Sequence, residues 1–299
     1  YFLLNRLFLP NPARPAGGRQ AGTNRVLAAV TALLFVAHPV HNEAIVYVNS
    51  LGDSLAAFFV LSSLLLFVRF RQSQKPAYAS RNYYFSLLFF PLAVMSKETG
   101  FVLCGLLPML DLLLIQNNSR FIPRVINTAK TVWPFILIAL IYIIMRGTVL
   151  NFNNSFNFYS EPNEFSSNIL VRVMTFFKAS TQYSGFLFAP YELKVERLLP
   201  FAHSLFDWDV LFGGAIVLSM VVAIFKYWKT KPWLSFGLAW FFIAIAPASN
   251  VLVPINAVLY EHFLYMPMIG IIFIVTCFAL TLVERRKLQK AELCLFVII

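Results

Sequence analysis

The sequence predicts an all-α polytopic membrane protein, a bundle of about eight transmembrane helices with one further re-entrant or interfacial helix. Three observations carry this. Of 299 residues, 59% are hydrophobic and only 12% charged, with 32 Phe and a mean hydropathy of +0.72; soluble domains carry roughly 25% charged residues. The apolar residues gather in long continuous runs without the alternation of a barrel strand. The basic residues cluster between those runs. This composition excludes a soluble globule, a disordered chain and a disulfide-rich secreted domain. Cys104, Cys277 and Cys294 lie in apolar stretches without ligand spacing. The net charge of +11 reads as a positive-inside bias, with a membrane and no nucleic acid as partner.

The runs are Val26–Ala37, Ala44–Val68, Tyr83–Met95, Gly100–Ile115, Thr131–Met145, Leu170–Ala189, Val210–Phe225, Trp233–Ala246 and Leu259–Val283. Several are short for a full span and call for a thinned bilayer or for continuation into flanking segments. Basic loops fix the threading. Arg14, Arg19 and Arg25 precede the first run, and Arg69, Arg71, Lys75 and Arg81 follow the second. Arg120, Arg124 and Lys130 follow the fourth, Lys226, Lys229 and Lys231 the seventh, and Arg285, Arg286, Lys287 and Lys290 the last. If Leu170–Ala189 does not cross, 18 cations lie inside and 6 outside (Lys97, Arg146, Arg172, Lys178, Lys194, Arg197). If it crosses, the bias nearly vanishes, so it is read as re-entrant or interfacial.

The same threading sends Glu43, Glu98, Glu161, Glu164, Glu192, Glu196, Asp207, Asp209 and Glu261 to the outer side, with Asp53 just inside the second span. Residues 1–292 form the transmembrane domain, with outer loops at 147–169 and 190–209. The apolar stubs Tyr1–Leu9 and Leu293–Ile299 fall short of the ~20 residues a span needs. They are read as cut helices of a longer protein, with 293–299 opening a further span.

Three motifs meet at the outer face: His38-Pro39-Val40-His41-Asn42-Glu43 followed by Asp53, then Ser96-Lys97-Glu98-Thr99-Gly100, and Pro247-Ala248-Ser249-Asn250 with Tyr260-Glu261-His262. Ionisable groups at membrane depth are costly and usually face a wet cavity or the bundle interior. The bland alternative is helix capping at the headgroups. His38, His41 and Glu43 have side chains that suit a divalent metal such as zinc or manganese, a weak signal. Lys97, Arg146, Arg172 and Lys178 suit a phosphate or pyrophosphate, since cationic donors match phosphoryl oxygens. Ion pairing of Lys97 with Glu43 or Glu261 is the structural counterpart. Glu43 or Glu261 suits a general base on a hydroxyl. There is no Walker loop, GxSxG, HExxH or GxGxxG. Gly213-Gly214 reads as helix packing, and Lys226-Tyr227-Trp228-Lys229 as an interfacial anchor. No tandem 34-residue repeat occurs.

HPVHNEA…GDSLAAFF and PASNVLVP…YEHFLYMP resemble the transmembrane and tetratricopeptide-repeat O-mannosyltransferases and their bacterial relatives. SKETG is similar to that family's Lys-Glu motif, and Trp133-Pro134 through Arg146, then Arg172 to Pro190, to its middle region. The resemblance runs in order over nearly the whole chain. It implies a GT-C-like fold and transfer of a sugar, typically mannose, from a polyprenyl-phosphate carrier to a Ser or Thr hydroxyl of an exported protein. Transfer would invert the sugar carbon on the extracytoplasmic face. Tetratricopeptide repeats would follow the last span. The family's acidic first outer loop, which supplies its catalytic carboxylate, would precede Tyr1, leaving this chain inactive alone. By motif, His38, His41 and Glu43 would line the acceptor or sugar side, with Asp53 beside them. Lys97 and Glu98 would lie near the carrier phosphate, and Glu261 and His262 would close the cavity. Glu43, His41, Asp53 and Glu261 are thus the catalytic candidates. His38, Lys97, Glu98, Arg146, Arg172, Lys178 and His262 are the substrate-binding ones.

Two departures bear on the donor: Leu51-Gly52 stands where the family has Arg, and Phe263 where a basic residue is common. YEHFLYMP resembles the bacterial relatives, which favours a bacterial inner membrane over the endoplasmic reticulum. Two other classes stay open: a flippase of lipid-linked sugars, which would need polar groups on both sides of a central site, and an inactive membrane scaffold for a repeat domain.

Overall fold

A computed structural model describes residues 18–73, 75–115, 121–150, 163–191, 193–194 and 197–286. The stub 293–299 and most of the outer loop 147–169 lie outside the described residues. Among the described residues the regular structure is all helical, without strands. The α-helices are α1 (Gly18–Ala37), α2 (Asn42–Val46), α3 (Leu51–Gln72), α4 (Arg81–Ser96), α5 (Leu103–Leu110), α6 (Phe121–Thr148), α7 (Glu164–Ser167), α8 (Ile169–Phe188), α9 (Trp208–Tyr227), α10 (Pro232–Ile245) and α11 (Pro267–Arg286). A π-helical turn, Asp111–Ile115, extends α5.

Three of these are long and apolar enough to cross a membrane: α3, α6 and α9. At about 1.5 Å per residue, the 22 residues of α3 reach about 33 Å, against a hydrocarbon core of about 30 Å. A fourth span is reached if the last ten residues of α1 and the segment Pro39–Val46, bent by 60° against each other, count as one. The break has a local cause. Pro39 lacks an N–H and disfavours helix at the residue before it, and His38 is extended at φ −73°, ψ 126°. Eight crossings are therefore not supported. The 16 residues of α4 and the 14 of α10, like the eight of α5, fall short of a hydrocarbon core. Apolarity alone had counted them.

Chain direction alternates through the bundle. α3 and α4 form an antiparallel pair, with the Ser63 and Ser86 hydroxyls each donating to the other's carbonyl at 2.8 Å. α10 and α11 touch backbone to backbone. A Cβ on Gly270 would lie 2.4 Å from the Gly237 carbonyl oxygen, so neither position has room for a side chain. Trp240 closes this contact by donating to the Met266 carbonyl at 2.9 Å. The main core gathers Leu64, Phe67, Phe90, Leu106, Phe135 and Trp240; a second joins Val40, Tyr183, Phe241, Ile245 and Leu264.

The alternation sorts the charges by end. Arg69, Arg71, Lys75, Arg81, Arg124, Lys130, Lys226, Lys229 and Lys231 flank one end of these helices. Asp53, Lys97, Arg146 and Glu261 flank the other. At the basic end a buried tie was not anticipated: Asp111, fully buried, pairs with Arg71 Nε at 2.7 Å and accepts from the Thr128 hydroxyl at 2.6 Å. This joins α3, the π-turn and α6. α8 keeps to the opposite end. The Thr181 hydroxyl donates to the Asp209 carbonyl at the start of α9, and the Leu187 carbonyl meets His38. The Thr175 hydroxyl accepts from the Ala202 N–H.

Candidate functional site

Four carboxylates gather at the end bearing Asp53, each with a cationic or imidazole partner. The last-span motif supplies His262 on the short 3₁₀ turn Glu261–Leu264, and the first motif supplies Glu43 on α2. Glu43 grips His262 twice. Its Oε2 accepts the His262 backbone N–H at 2.9 Å, and its Oε1 lies 2.7 Å from Nδ1. Glu43 is only 5% exposed, so this partner satisfies a carboxylate that burial would otherwise penalise.

Asp53 lies beyond the other ring nitrogen, its Oδ2 3.9 Å from His262 Nε2. Its direct partner is Lys97, whose Nζ donates at 2.5 Å. Local backbone makes this pair. α4 ends where Lys97 turns extended, at φ −163°, ψ 150°. Gly52, lacking a side chain, lets the Ser96 carbonyl come to 3.0 Å from where a Cβ would sit, which sets Lys97 over the start of α3. Here the structure differs from the ion pairs expected of Lys97: its partner is Asp53, not Glu43 or Glu261. The next residue, Glu98, pairs with Arg146 in the last turn of α6, where the helix dipole also favours a cation.

Glu261 serves a different contact. Its Oε1 accepts the Lys194 backbone N–H at 2.6 Å and faces Arg197 Nη2 at 3.3 Å. The Arg197 guanidinium also lies 4.7 Å from the centre of the Phe186 ring. Glu261 thus fastens the segment before α9 across the site end, and its carboxylate is turned to Arg197 rather than to the Glu43–His262 pair. Arg197 carried no motif; only its place among the outer cations marked it.

The two histidines of the first motif do not join Glu43 in a metal site. His41, 2% exposed, packs its ring 4.1 Å from Phe35 and 4.9 Å from Tyr265, and neither nitrogen has a hydrogen-bond partner. His38 donates from Nε2 to the Leu187 carbonyl at 3.2 Å, and its Nδ1 accepts the Val40 N–H at 3.3 Å. Among the described residues no group of three His, Cys, Asp or Glu side chains is disposed to hold a metal ion. The expected phosphate-binding quartet is also divided. Lys97 and Arg146 lie in the central cluster, while Arg172 lines a separate cavity with Tyr183, Ser249 and Asn250. Lys178, on α8, enters none of these ion pairs. Asn250 takes a left-handed backbone, φ 61°, and its side chain stabilises that turn by accepting from the Ile255 N–H and donating to the Ala257 carbonyl.

Chemically, the centre is a row of alternating groups: carboxylate, imidazole, carboxylate, ammonium. Such a row can orient a hydroxyl, move its proton and meet a leaving phosphate. Its members come from the first, second and last motifs, and the chain that folds them together has counterparts among curated proteins. It is 25% identical over 290 residues to Protein O-mannosyl-transferase TMTC4 of Homo sapiens, covering 87% of this chain and 39% of that protein. These are distant homologues. Similar values relate it to Protein O-mannosyl-transferase TMTC1 of Mus musculus (26%, over 83% of this chain and 36% of the relative). A Caenorhabditis elegans protein O-mannosyl-transferase, F38B6.6, is 22% identical over 82% of this chain and 33% of its own length. The chain thus spans about two fifths of the length of the relatives it matches, or less. No family model and no solved structure matches it.

Proposed function

We propose that this chain is the membrane part of a protein O-mannosyltransferase of the transmembrane and tetratricopeptide-repeat family, with a GT-C-like fold. It moves a mannosyl group from a polyprenyl-phosphate carrier to a Ser or Thr hydroxyl of an exported protein. The observation that carries this reading is the coupled row Glu43–His262 and Asp53–Lys97, in a chain whose distant homologues are named for protein O-mannosyl transfer. Glu43 holds His262, and Asp53 holds Lys97 at the site's edge. Lys97, with side-chain exposure of 25%, retains N–H donors for a carrier phosphate after serving Asp53. Arg146 and the half-exposed Glu98 flank that phosphate.

The active face is extracytoplasmic, because the basic residues between helices gather at the opposite end. α8 then lies at the outer interface. The bacterial inner membrane rests on the form YEHFLYMP alone; the relatives named above are animal proteins.

The test is mannosyl transfer by the full-length protein from a polyprenyl-phosphate donor to an exported acceptor. Glu43→Ala and Lys97→Ala are each expected to abolish it. Unchanged transfer in both variants would sink the assignment.

A further inference from the structure

We infer that the cavity at the α3–α4 turn, at the basic end of the bundle, binds the phosphate of an anionic phospholipid headgroup. This site is independent of the transfer reading above. The cavity, about 400 Å³, is lined by Ser73, Lys75, Ser80, Arg81, Asn82 and Phe85, with Ala79. Small-molecule sites span roughly 300–1,000 Å³, so its size is that of a ligand site.

Four features of this turn suit a phosphate. α4 begins at Arg81, and the first N–H groups of a helix have no partner within it. That end also carries the positive pole of the helix dipole, which attracts phosphate. Second, Ser80 holds the N-cap position of α4, yet its hydroxyl does not cap the helix. It is 3% exposed, lines the cavity and has no hydrogen-bond partner among the described residues. A buried hydroxyl without a partner costs free energy, and a phosphate oxygen in the cavity supplies that partner. Third, Lys75 and Arg81 bring two cations to the wall, and Asn82 an amide. Fourth, no nearby acid competes. Between Asp53 and Glu98 the sequence has none, and Asp111, buried at this end, is held by Arg71.

The surroundings favour a lipid over a soluble phosphate. Part of the wall is apolar, since Ala79 and Phe85 belong to it. Phe85, one turn into α4, is exposed, as are Tyr84 before it and Tyr78 in the turn. The Tyr84 hydroxyl donates to the Tyr78 carbonyl at 3.4 Å. Exposed tyrosines at a helix end sit at headgroup level, where basic pockets between helices take anionic headgroups. The lipid phosphate meets the start of α4, while the glycerol and upper chain carbons lie against Phe85.

The experiment titrates detergent-purified full-length protein with phosphatidylglycerol, phosphatidylcholine or inorganic phosphate. Bound lipid is read by native mass spectrometry, and protection by the thermal unfolding midpoint. Wild type is compared with Lys75→Gln/Arg81→Gln, with Ser80→Ala, and with Lys130→Gln/Lys229→Gln, which removes two exposed cations elsewhere at the same end. Phosphatidylglycerol is expected to bind wild type at least about tenfold more tightly than phosphatidylcholine and to raise the midpoint. Lys75→Gln/Arg81→Gln should weaken phosphatidylglycerol binding about tenfold or more, and the control pair about threefold or less. Ser80→Ala should lose affinity several-fold with its lipid-free midpoint unchanged, because that hydroxyl caps nothing. Equal losses in the two double variants would mean a diffuse attraction of the basic end and overturn the site. Inorganic phosphate that protects as well as phosphatidylglycerol would make this a site for a soluble anion and overturn the lipid assignment. If Lys75→Gln/Arg81→Gln fails to fold, Ser80→Ala decides: a phosphatidylglycerol affinity equal to wild type overturns the proposal.

Discussion

Glu43 and His262 are 219 residues apart in sequence, yet one carboxylate binds both the backbone N–H and the ring of the other residue. This pair closes the first motif onto the last and turns the imidazole's free nitrogen toward Asp53. Glu43 is thereby a positioning group. Glu43→Gln keeps the shape but offers an amide where the carboxylate stood, so Nδ1–H is no longer favoured. The expected result is a fall in kcat with donor binding retained. A kcat equal to wild type in Glu43→Gln would show that the carboxylate's hold on His262 is not needed.

Asp111 makes a separate prediction about stability. It is fully buried, and its Arg71 partner is 12% exposed in the side chain. Removing one member of a buried pair costs about 3–5 kcal/mol, whereas replacing both by apolar residues is often neutral. Asp111→Leu should lower the unfolding midpoint in detergent sharply, and Arg71→Leu added to it should recover much of the loss. Equal, additive losses would mean that the two residues are not coupled.

These two pairs mark what the sequence could and could not say. The three polar motifs were legible as a group, because charged residues in a chain this apolar stand out and the basic loops sort them to one end. Which acid meets which cation was not legible. Lys97 reaches Asp53 only because Gly52 lets α4 end against α3, a matter of approach between helices. Glu261 shares its motif with His262, yet consecutive positions on a 3₁₀ turn point apart, and one meets Arg197 while the other meets Glu43. Asp111 lies within an apolar run, where a single acid carries no pattern that names its partner. Its partners lie on two other helices, and only the π-turn aims it at them. The span count failed for a simpler reason: apolarity marks burial in protein and burial in lipid alike.

Gly213 tests the seat of α8. A Cβ there would lie 1.8 Å from the Phe177 carbonyl oxygen, so Gly213→Ala must push α8 away from α9. Overpacking of this kind costs about 1–3 kcal/mol, and the contact involved is backbone, which cannot rotate aside. Thermal unfolding in detergent should show a clear drop for Gly213→Ala and little change for Gly147→Ala, where a Cβ meets nothing within 4 Å. A Gly213→Ala protein as stable as wild type would contradict the close approach of the two helices.

Arg197 and Glu261 govern the segment that crosses the site end. Glu261 is 3% exposed and takes both the Lys194 N–H and the Arg197 guanidinium on one oxygen, so losing Arg197 leaves a buried carboxylate with a single backbone donor. The cost of such a carboxylate favours opening of the segment. Tyr191 and Leu198 on that segment already face outward, at 73% and 97% exposure. Chymotrypsin, which cuts after such side chains, therefore reads the opening without depending on the substituted arginine. Arg197→Gln and Glu261→Gln should each raise cleavage between residues 190 and 207 several-fold over wild type. Because both substitutions break the Glu261–Arg197 contact, the double variant should be cleaved more slowly than the sum of the single increases predicts. Cleavage that adds up in the double variant would mean that the two residues restrain the segment separately, and that Glu261 is not its fastening point.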